Sequence, residues 1–364
     1  MPCQPEHMIE IDASMGEGGG QVLRYSLAIA AITRRSVRLR NVRAKRDRPG
    51  LQMQHLAAVR VLAAITRAQV RGDRLGSTEL EFRPSGIFGG RYEVDVGTAG
   101  SLTLVLQSAL PVLAFADARS ELLLRGGTDV PRSPTFDYFS SVFLEHLRRM
   151  SYDVELELIR RGHYPRGGGE VRARVRSMGA LRPLRIDGRG GLLEIGGRSH
   201  ATELPRHVAE RQARAAEEEL RKRGADVPVR LEIEVSGGAG RGSGIALWAR
   251  TENSILGSDA LGERGKPAEL VGREAARLLM EDLATGAALD RHASDMLVPY
   301  LMFADGRSEV SGSSLTSHAR TVIELARLIA PEIALRVEGG DRGGPFRLTV
   351  EGQRPPPAGA PRLR

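Results

Sequence analysis

Apolar positions along this chain follow two rhythms, every second residue over short runs and every third or fourth over longer ones, with Gly and Pro marking the changes between them. One order recurs three times: strand, Gly-containing turn, apolar helix, strand, second helix, two-stranded hairpin. The spacing is roughly eighty residues per copy. The first copy, residues 8–84, predicts helices over 21–32 and 51–66, a strand over 37–42 and a hairpin ending at 80–82. In the second, strand 92–96 passes through Gly97-Thr98-Ala99-Gly100-Ser101 into helix 102–115, apolar nearly all round and therefore buried. Strand 121–124, helix 134–149 and hairpin strands 154–159 and 170–175 complete it.

The third copy is split. Its first strand, 184–187, stands far upstream of a helix at 289–304, a strand near Glu309, a helix at 316–329 and hairpin strands 334–338 and 346–351. The intervening stretch predicts strands at 193–195, 229–235, 245–250 and 254–257 and helices at 205–223 and 267–284. The expected fold is α/β (α+β): three repeated βαβαββ units form a large domain, 8–189 and 287–351. A small inserted α/β domain of about four strands and two helices occupies 190–286. The polar, Pro-rich end, 352–364, reads as a disordered tail.

Composition narrows the setting. Of 364 residues, 41% are apolar and 27% charged, and no run approaches the roughly eighteen apolar residues of a membrane span. The first residues, Met1-Pro2-Cys3-Gln4-Pro5-Glu6, lack the apolar core of a signal peptide, so a cytoplasmic home is expected. The lone Cys3 excludes internal disulfides and cysteine zinc sites. A net charge of +8 suggests an acidic partner, although an arginine-rich chain also follows from a GC-rich genome. Aromatics at 4% argue against a reader that stacks a run of bases, which leaves contacts through phosphate and chain end.

Candidate chemistry begins at Gly16-Glu17-Gly18-Gly19-Gly20-Gln21, between the first strand and a helix carrying Arg24. Glycines here either free backbone N–H groups for an anion at a helix N-terminus or only make a tight turn. Glu17 would repel a bare phosphate, and a hard divalent cation between them reconciles the two charges. The loop is not a dinucleotide fingerprint, because Gln21 stands where its third glycine belongs, and Gly265-Lys266 followed by Pro267 is no Walker loop. Arg43, Lys45, Arg46 and Arg48 make either a solvated loop or, beside Gln54 and His55, a bidentate phosphate surface. His318, near a helix start, is either a polar surface residue or a nucleophile able to form a phosphoramidate.

Five motifs together resemble the RNA 3'-terminal phosphate cyclase family. They are Gly-Glu-Gly-Gly-Gly-Gln-Val-Leu-Arg at 16–24, Arg-Pro-Gly-Leu-Gln-Met-Gln-His at 48–55, Gly-Thr-Ala-Gly-Ser-Leu-Thr-Leu-Val-Leu-Gln at 97–107, Gly-Gly-Thr-Asp-Val-Pro at 126–131 and Pro-Arg-His-Val-Ala-Glu-Arg at 205–211. The resemblance runs over about 8–351. It implies three repeated units with a small insertion, ATP and Mg²⁺ or Mn²⁺ as cofactors, and an RNA with a 3'-phosphate end as partner, without a membrane. It also implies a covalent histidine–AMP, transfer of AMP to the RNA phosphate, and closure of a 2',3'-cyclic phosphate.

By the same resemblance His318 matches the nucleophile and Glu17 the metal-binding carboxylate. Arg24, Arg43 and Arg46 match catalytic positions near the phosphates, and Gln21, Gln54 and His55 positions near the RNA end. Gln107, Pro131 and Asp295 match the adenosine pocket, where His292 and Met296 replace the Tyr and Gln of many members. Two other readings stand beside this one. A non-catalytic ribosomal RNA processing factor shares the fold but lacks the histidine, and sugar-phosphate or enolpyruvyl transferases also repeat α/β units and gather arginines.

Overall fold

The computed structural model describes residues 8–355. Each repeat builds a four-stranded sheet of one topology. In the first, Ile9–Asp12 lies parallel to Val37–Arg40, with Leu80–Arg83 antiparallel beside it and Gln69–Arg71 at the edge. The second sheet places Gly90–Asp95, Ser120–Gly126, Gly169–Val175 and Val154–Arg160 in the same order. The third uses Arg185–Ile186, Gly306–Gly312, Phe346–Gly352 and Leu335–Gly339. A parallel pair requires a crossover, which the first helix of each repeat supplies, whereas the closing antiparallel pair needs only a loop.

Alternation decides which face each sheet buries. Val37 and Leu39 point inward while Arg40 points out. The outer faces are laced by cross-strand pairs, Arg38–Glu81 at 2.5 Å, Arg172–Glu157 at 2.9 Å and Arg347–Glu309 at 3.5 Å, so many of the arginines serve the sheets. Inside, the helix Gly20–Thr33 is buried at every position after its first, packed against Met53–Thr66, Leu102–Leu113 and Ser317–Ile329. One contiguous apolar cluster joins all three repeats.

Residues 192–284 form a fourth sheet of another order, Val229–Ser236, Leu192–Thr202, Gly242–Thr251, Ile255–Leu261, covered by the helices Arg206–Lys222 and Ala268–Ala284. It has its own apolar cluster, including Ile195, Leu220, Leu247, Val271 and Leu279. No helix among the described residues is long and apolar enough to cross a membrane.

Four expectations need correction. The strand expected at 193–195 runs to Thr202, because Ser199 and His200 are buried although polar. The helix expected over 289–304 is two short pieces, Ala293–Met296 and Val298–Met302. Leu289 instead bridges to Gly312, and the Asp290 carboxylate accepts from the backbone N–H groups of His292 and Ala293, both at 2.9 Å, so the helix starts later. Pro299 then interrupts it by removing an N–H. The helix expected over 134–149 starts at Phe136, ends at Arg149 and contains a π turn at Phe139–Phe143. Of the expected tail, Gly352 is still in a strand, Gln353 N donates to Met302 O at 3.0 Å, and Arg354 pairs with Asp305 at 2.5 Å. Residues 356–364 of that tail, and Cys3, lie outside the described residues.

Candidate active site

A cleft of about 1830 Å³ opens between the repeats and the inserted sheet, and it gathers every candidate residue: Glu17, Gln21, Arg24, Arg43, Arg46, Gln54, His55, Gln107, Pro131, His292, Asp295, Met296 and His318. The glycine loop forms one wall. Gly16 and Gly18 have φ of +55° and +59°. A Cβ on Gly16 would stand 2.2 Å from Thr321 Oγ1, and one on Gly20 2.2 Å from His55 Nε2, so two other helices approach the loop more closely than any side chain allows. The helix that follows starts at Gly20 with Gly19 as its N-cap and no side chain capping it. Its first N–H groups therefore remain available to an anion.

Arg24 lies one turn into that helix, 8% exposed, and its buried Nε has no hydrogen-bond partner. Burial brings its pKa down to about 10, against partial support from Tyr25 and Asp295. Beside it His55 Nδ1 accepts from Gln52 N at 3.1 Å, which puts the proton on Nε2. Burial, with Arg24 and Arg43 nearby, depresses the His55 pKa to about 3, so the ring is a neutral donor at physiological pH. Arg43, at φ +56°, is held by the carbonyls of Arg48 and Gly50 at 2.6 and 2.9 Å. Gln54 Oε1 accepts from Ser101 N at 2.9 Å and ties this wall to the second glycine turn.

His318 faces the loop from the first turn of Ser317–Ile329, a helix capped by Thr316 Oγ1, which accepts from Ala319 N at 3.0 Å. Its side chain is 51% exposed and its Nε2 lies 3.4 Å from Glu17 Oε2. Glu17 also accepts from Ser317 Oγ at 2.5 Å and lies 3.5 Å from Arg46 NH2. The Ser317 hydroxyl foremost, with help from His318 and Arg46, holds its carboxyl below the usual range against the opposing effect of burial. Gln21 Nε2 donates to His318 O at 2.9 Å, so the starts of the two helices are joined directly.

Asp295 closes the inner end. Tyr25 Oη donates to its carboxylate at 3.3 Å and also meets its backbone carbonyl at 3.3 Å, the carbonyl that Pro299 cannot bond. Burial raises the Asp295 pKa to about 6. Gln107 is 5% exposed with Oε1 unpartnered, Met296 is buried, and the His292 ring meets the Tyr138 ring edge-on at 5.9 Å. Sequence reasoning missed Tyr25, Ser317 and Thr321. Tyr25 follows Gln21 by one helical turn, a spacing that signals a shared face. It also missed the inserted unit, which brings Arg211, Arg241, Arg264 and Lys266 to the cleft. Lys266 gets there without a Walker loop and is paired with Glu274 at 2.5 Å.

A buried guanidinium with an unpartnered Nε and bare helix N–H groups near a half-exposed imidazole could hold a phosphate-bearing ligand. The family model described as RNA 3'-terminal phosphate cyclase matches residues 15–332, and the chain belongs to that family of enzymes. The RNA 3'-terminal phosphate cyclase of Hyperthermus butylicus is 51% identical over 352 residues, covering 95% of this chain and 98% of its own length. That of Ignicoccus hospitalis is 52% identical over 349 residues, covering 95% and 99%. Among solved structures, the enolpyruvyl transferase NikO from Streptomyces tendae aligns at 11% identity with a TM-score of 0.34, covering 96% of this chain and 49% of that one. A likeness of that size bears on neither fold nor chemistry.

Proposed function

We propose that this chain uses ATP to convert an RNA 3'-terminal phosphate into a 2',3'-cyclic phosphate through adenylylated His318. A ring nitrogen of His318 attacks the α-phosphorus of ATP and pyrophosphate departs, leaving AMP on that nitrogen. An oxygen of the RNA 3'-phosphate then displaces the imidazole, giving RNA(3')pp(5')A. The vicinal 2'-hydroxyl attacks the 3'-phosphorus, AMP leaves, and the hydroxyl proton passes to solvent. Every step gathers negative charge on phosphorus oxygens, and Arg24, Arg43, Arg46 and the His55 Nε2–H can stabilise it. The observation that carries this reading is the 3.4 Å approach of the exposed His318 ring to the carboxylate of the uncapped glycine loop.

Gln107, Pro131, His292, Asp295 and Met296 are the proposed adenosine pocket, where the unpartnered Gln107 Oε1 is an acceptor for an exocyclic amine. Gln21 and Gln54 are proposed near the RNA end. Glu17, anionic and partly exposed, suits a Mg²⁺ or Mn²⁺ completed by phosphate oxygens and water; that ion would offset phosphate charge. The divisions 8–189, 190–286 and 287–351 are likewise proposed as domain limits, supported by the separate apolar cluster of the inserted sheet.

The test is incubation with α-labelled ATP and metal, followed by a 3'-phosphorylated oligonucleotide chase. Acid-labile, base-stable label should appear on the protein and move to the oligonucleotide. His318→Ala should abolish labelling with an unchanged circular dichroism spectrum, because the side chain is half-exposed. Binding of the oligonucleotide without any labelling would instead establish a non-catalytic RNA-binding protein.

A further inference from the structure

At the seam between the second repeat and the inserted sheet, Asp129, His163 and His200 each point one ligand-competent atom to a common place, the atoms lying within 4.8 Å of one another. All three are buried. His200 is 1% exposed and neither ring nitrogen has a hydrogen-bond partner; the nearest carboxylate, Asp137, is 3.6 Å from Nδ1, beyond hydrogen-bond reach. Asp129 uses Oδ2 for Thr128 Oγ1 at 2.6 Å and Arg161 NH1 at 3.0 Å, while Oδ1 is buried and unpartnered. Buried polar groups left unmatched are costly, so their convergence calls for an occupant.

We propose that Asp129, His163 and His200 bind a transition-metal dication of the zinc class, a site separate from the glycine loop and Glu17. Two imidazoles and a carboxylate are a donor set such an ion prefers, and the hard Mg²⁺ does not. His163 is 3% exposed, so its ring is enclosed with the other two groups. Its Nε2 meets Thr202 Oγ1 at 3.1 Å, and Thr202 Oγ1 meets Ser236 Oγ at 3.1 Å, an outer chain that fixes the ring. The charge balance also asks for a cation. Among the described residues the fully buried Asp129 and Asp137 share the buried Arg161, and Asp137 has Arg198 as well, so Asp129 is the less compensated of the two, with its Oδ1 unpartnered.

Tetrahedral zinc with bonds near 2.0–2.1 Å sets its ligand atoms about 3.4 Å apart, inside the 4.8 Å limit within which these three atoms lie, so binding would draw the ligands together. Asp129 and His163 also line the cleft described above. The ion also ties His200 of the inserted sheet to the second repeat.

The full-length protein, stripped with chelator and dialysed, is titrated with Zn²⁺ in competition with a chromophoric chelator, and with Co²⁺ by visible absorption. One equivalent per chain should bind, with tetrahedral Co²⁺ bands. His200→Phe, which keeps a buried ring and leaves no nitrogen unmatched, should stay folded and lose at least tenfold in affinity. Glu17→Gln should leave Zn²⁺ binding unchanged. Absence of stoichiometric binding by the unaltered protein, or equal binding by folded His200→Phe and His163→Gln, overturns the proposal.

Discussion

Replacing Arg24 by Met separates a residue kept for a ligand from one kept for the fold. The guanidinium is buried, its Nε is unpartnered, and no ion pair holds it among the described residues. Burial lowers its pKa from 12.5 to about 10, a penalty on the charged form of about 3 kcal/mol. The sign follows from linkage: below pH 10 the group is charged in both folded and unfolded chains and the full penalty falls on the folded one. It fades only as pH rises from 10 towards 12.5. Met keeps most of the apolar stem without the charge, so Arg24→Met should stabilise the ligand-free protein by about 1–2 kcal/mol after imperfect packing is subtracted. The assay is urea unfolding at pH 7.5, with and without ATP and a 3'-phosphorylated oligonucleotide. A higher midpoint alone, together with loss of the ligand-dependent increase, is the expected pair. A variant destabilised by more than 1 kcal/mol that still responds to ligand would refute the reasoning and make Arg24 a structural cation.

Two further outcomes follow from the same wall. Gly20→Ala puts a Cβ 2.2 Å from His55 Nε2, so it should cost about 1–3 kcal/mol and displace the imidazole, read as a lower melting temperature with at least tenfold slower adenylate transfer. His55 has its pKa depressed from 6.5 to about 3, so the unfolded chain takes a proton that the folded chain refuses. Stability is lost as pH falls from 6.5 towards 3, by about 1.4 kcal/mol per unit for this one group. His146 and His163, each at about 4, add to the slope. His55→Gln should flatten the stability profile between pH 7 and 5 by one proton's worth, measured by urea midpoints; an unchanged slope would mean that His55 is protonated when folded.

How much could be read in advance depended on whether a residue's role lies in its apolar pattern. Helices such as Gly20–Thr33 and Ala268–Ala284 declare themselves by spacing. Leu192–Thr202 does not, because Gly196-Gly197-Arg198-Ser199-His200 offers no alternation; it is a strand because Val229–Ser236 and Gly242–Thr251 bond to its two edges. The glycine at 196 is explained only by Trp248, whose Nε1 would lie 2.1 Å from a Cβ there. In the site, the glycine loop and His318 were legible through resemblance. The Ser317–Glu17 hydrogen bond was not, since 300 positions separate its partners. The number of arginines overstates the ligand surface, because pairs such as Arg38–Glu81 and Arg172–Glu157 spend arginines on sheet faces.

The triplicated scaffold itself argues for where the ligand sits. The first helix of each repeat begins at an equivalent place, yet its exposed N–H groups are treated differently. In the second repeat Ser101 Oγ accepts from Leu104 N at 3.2 Å, and in the third Asp290 accepts from His292 and Ala293. In the first repeat Gly19 offers no side chain. A cap is worth about 0.5–2 kcal/mol, so one bare end among three related ones supports the proposed anion site there. The second helices diverge in the same manner, presenting His55, Asp137 and His318 in their first turns. His55 is sealed and neutral, Asp137 is sealed and holds the Arg161 cluster, and His318 alone of the three reaches solvent. A nucleophile has to reach its electrophile, and exposure beside the uncapped end supports the role proposed for His318.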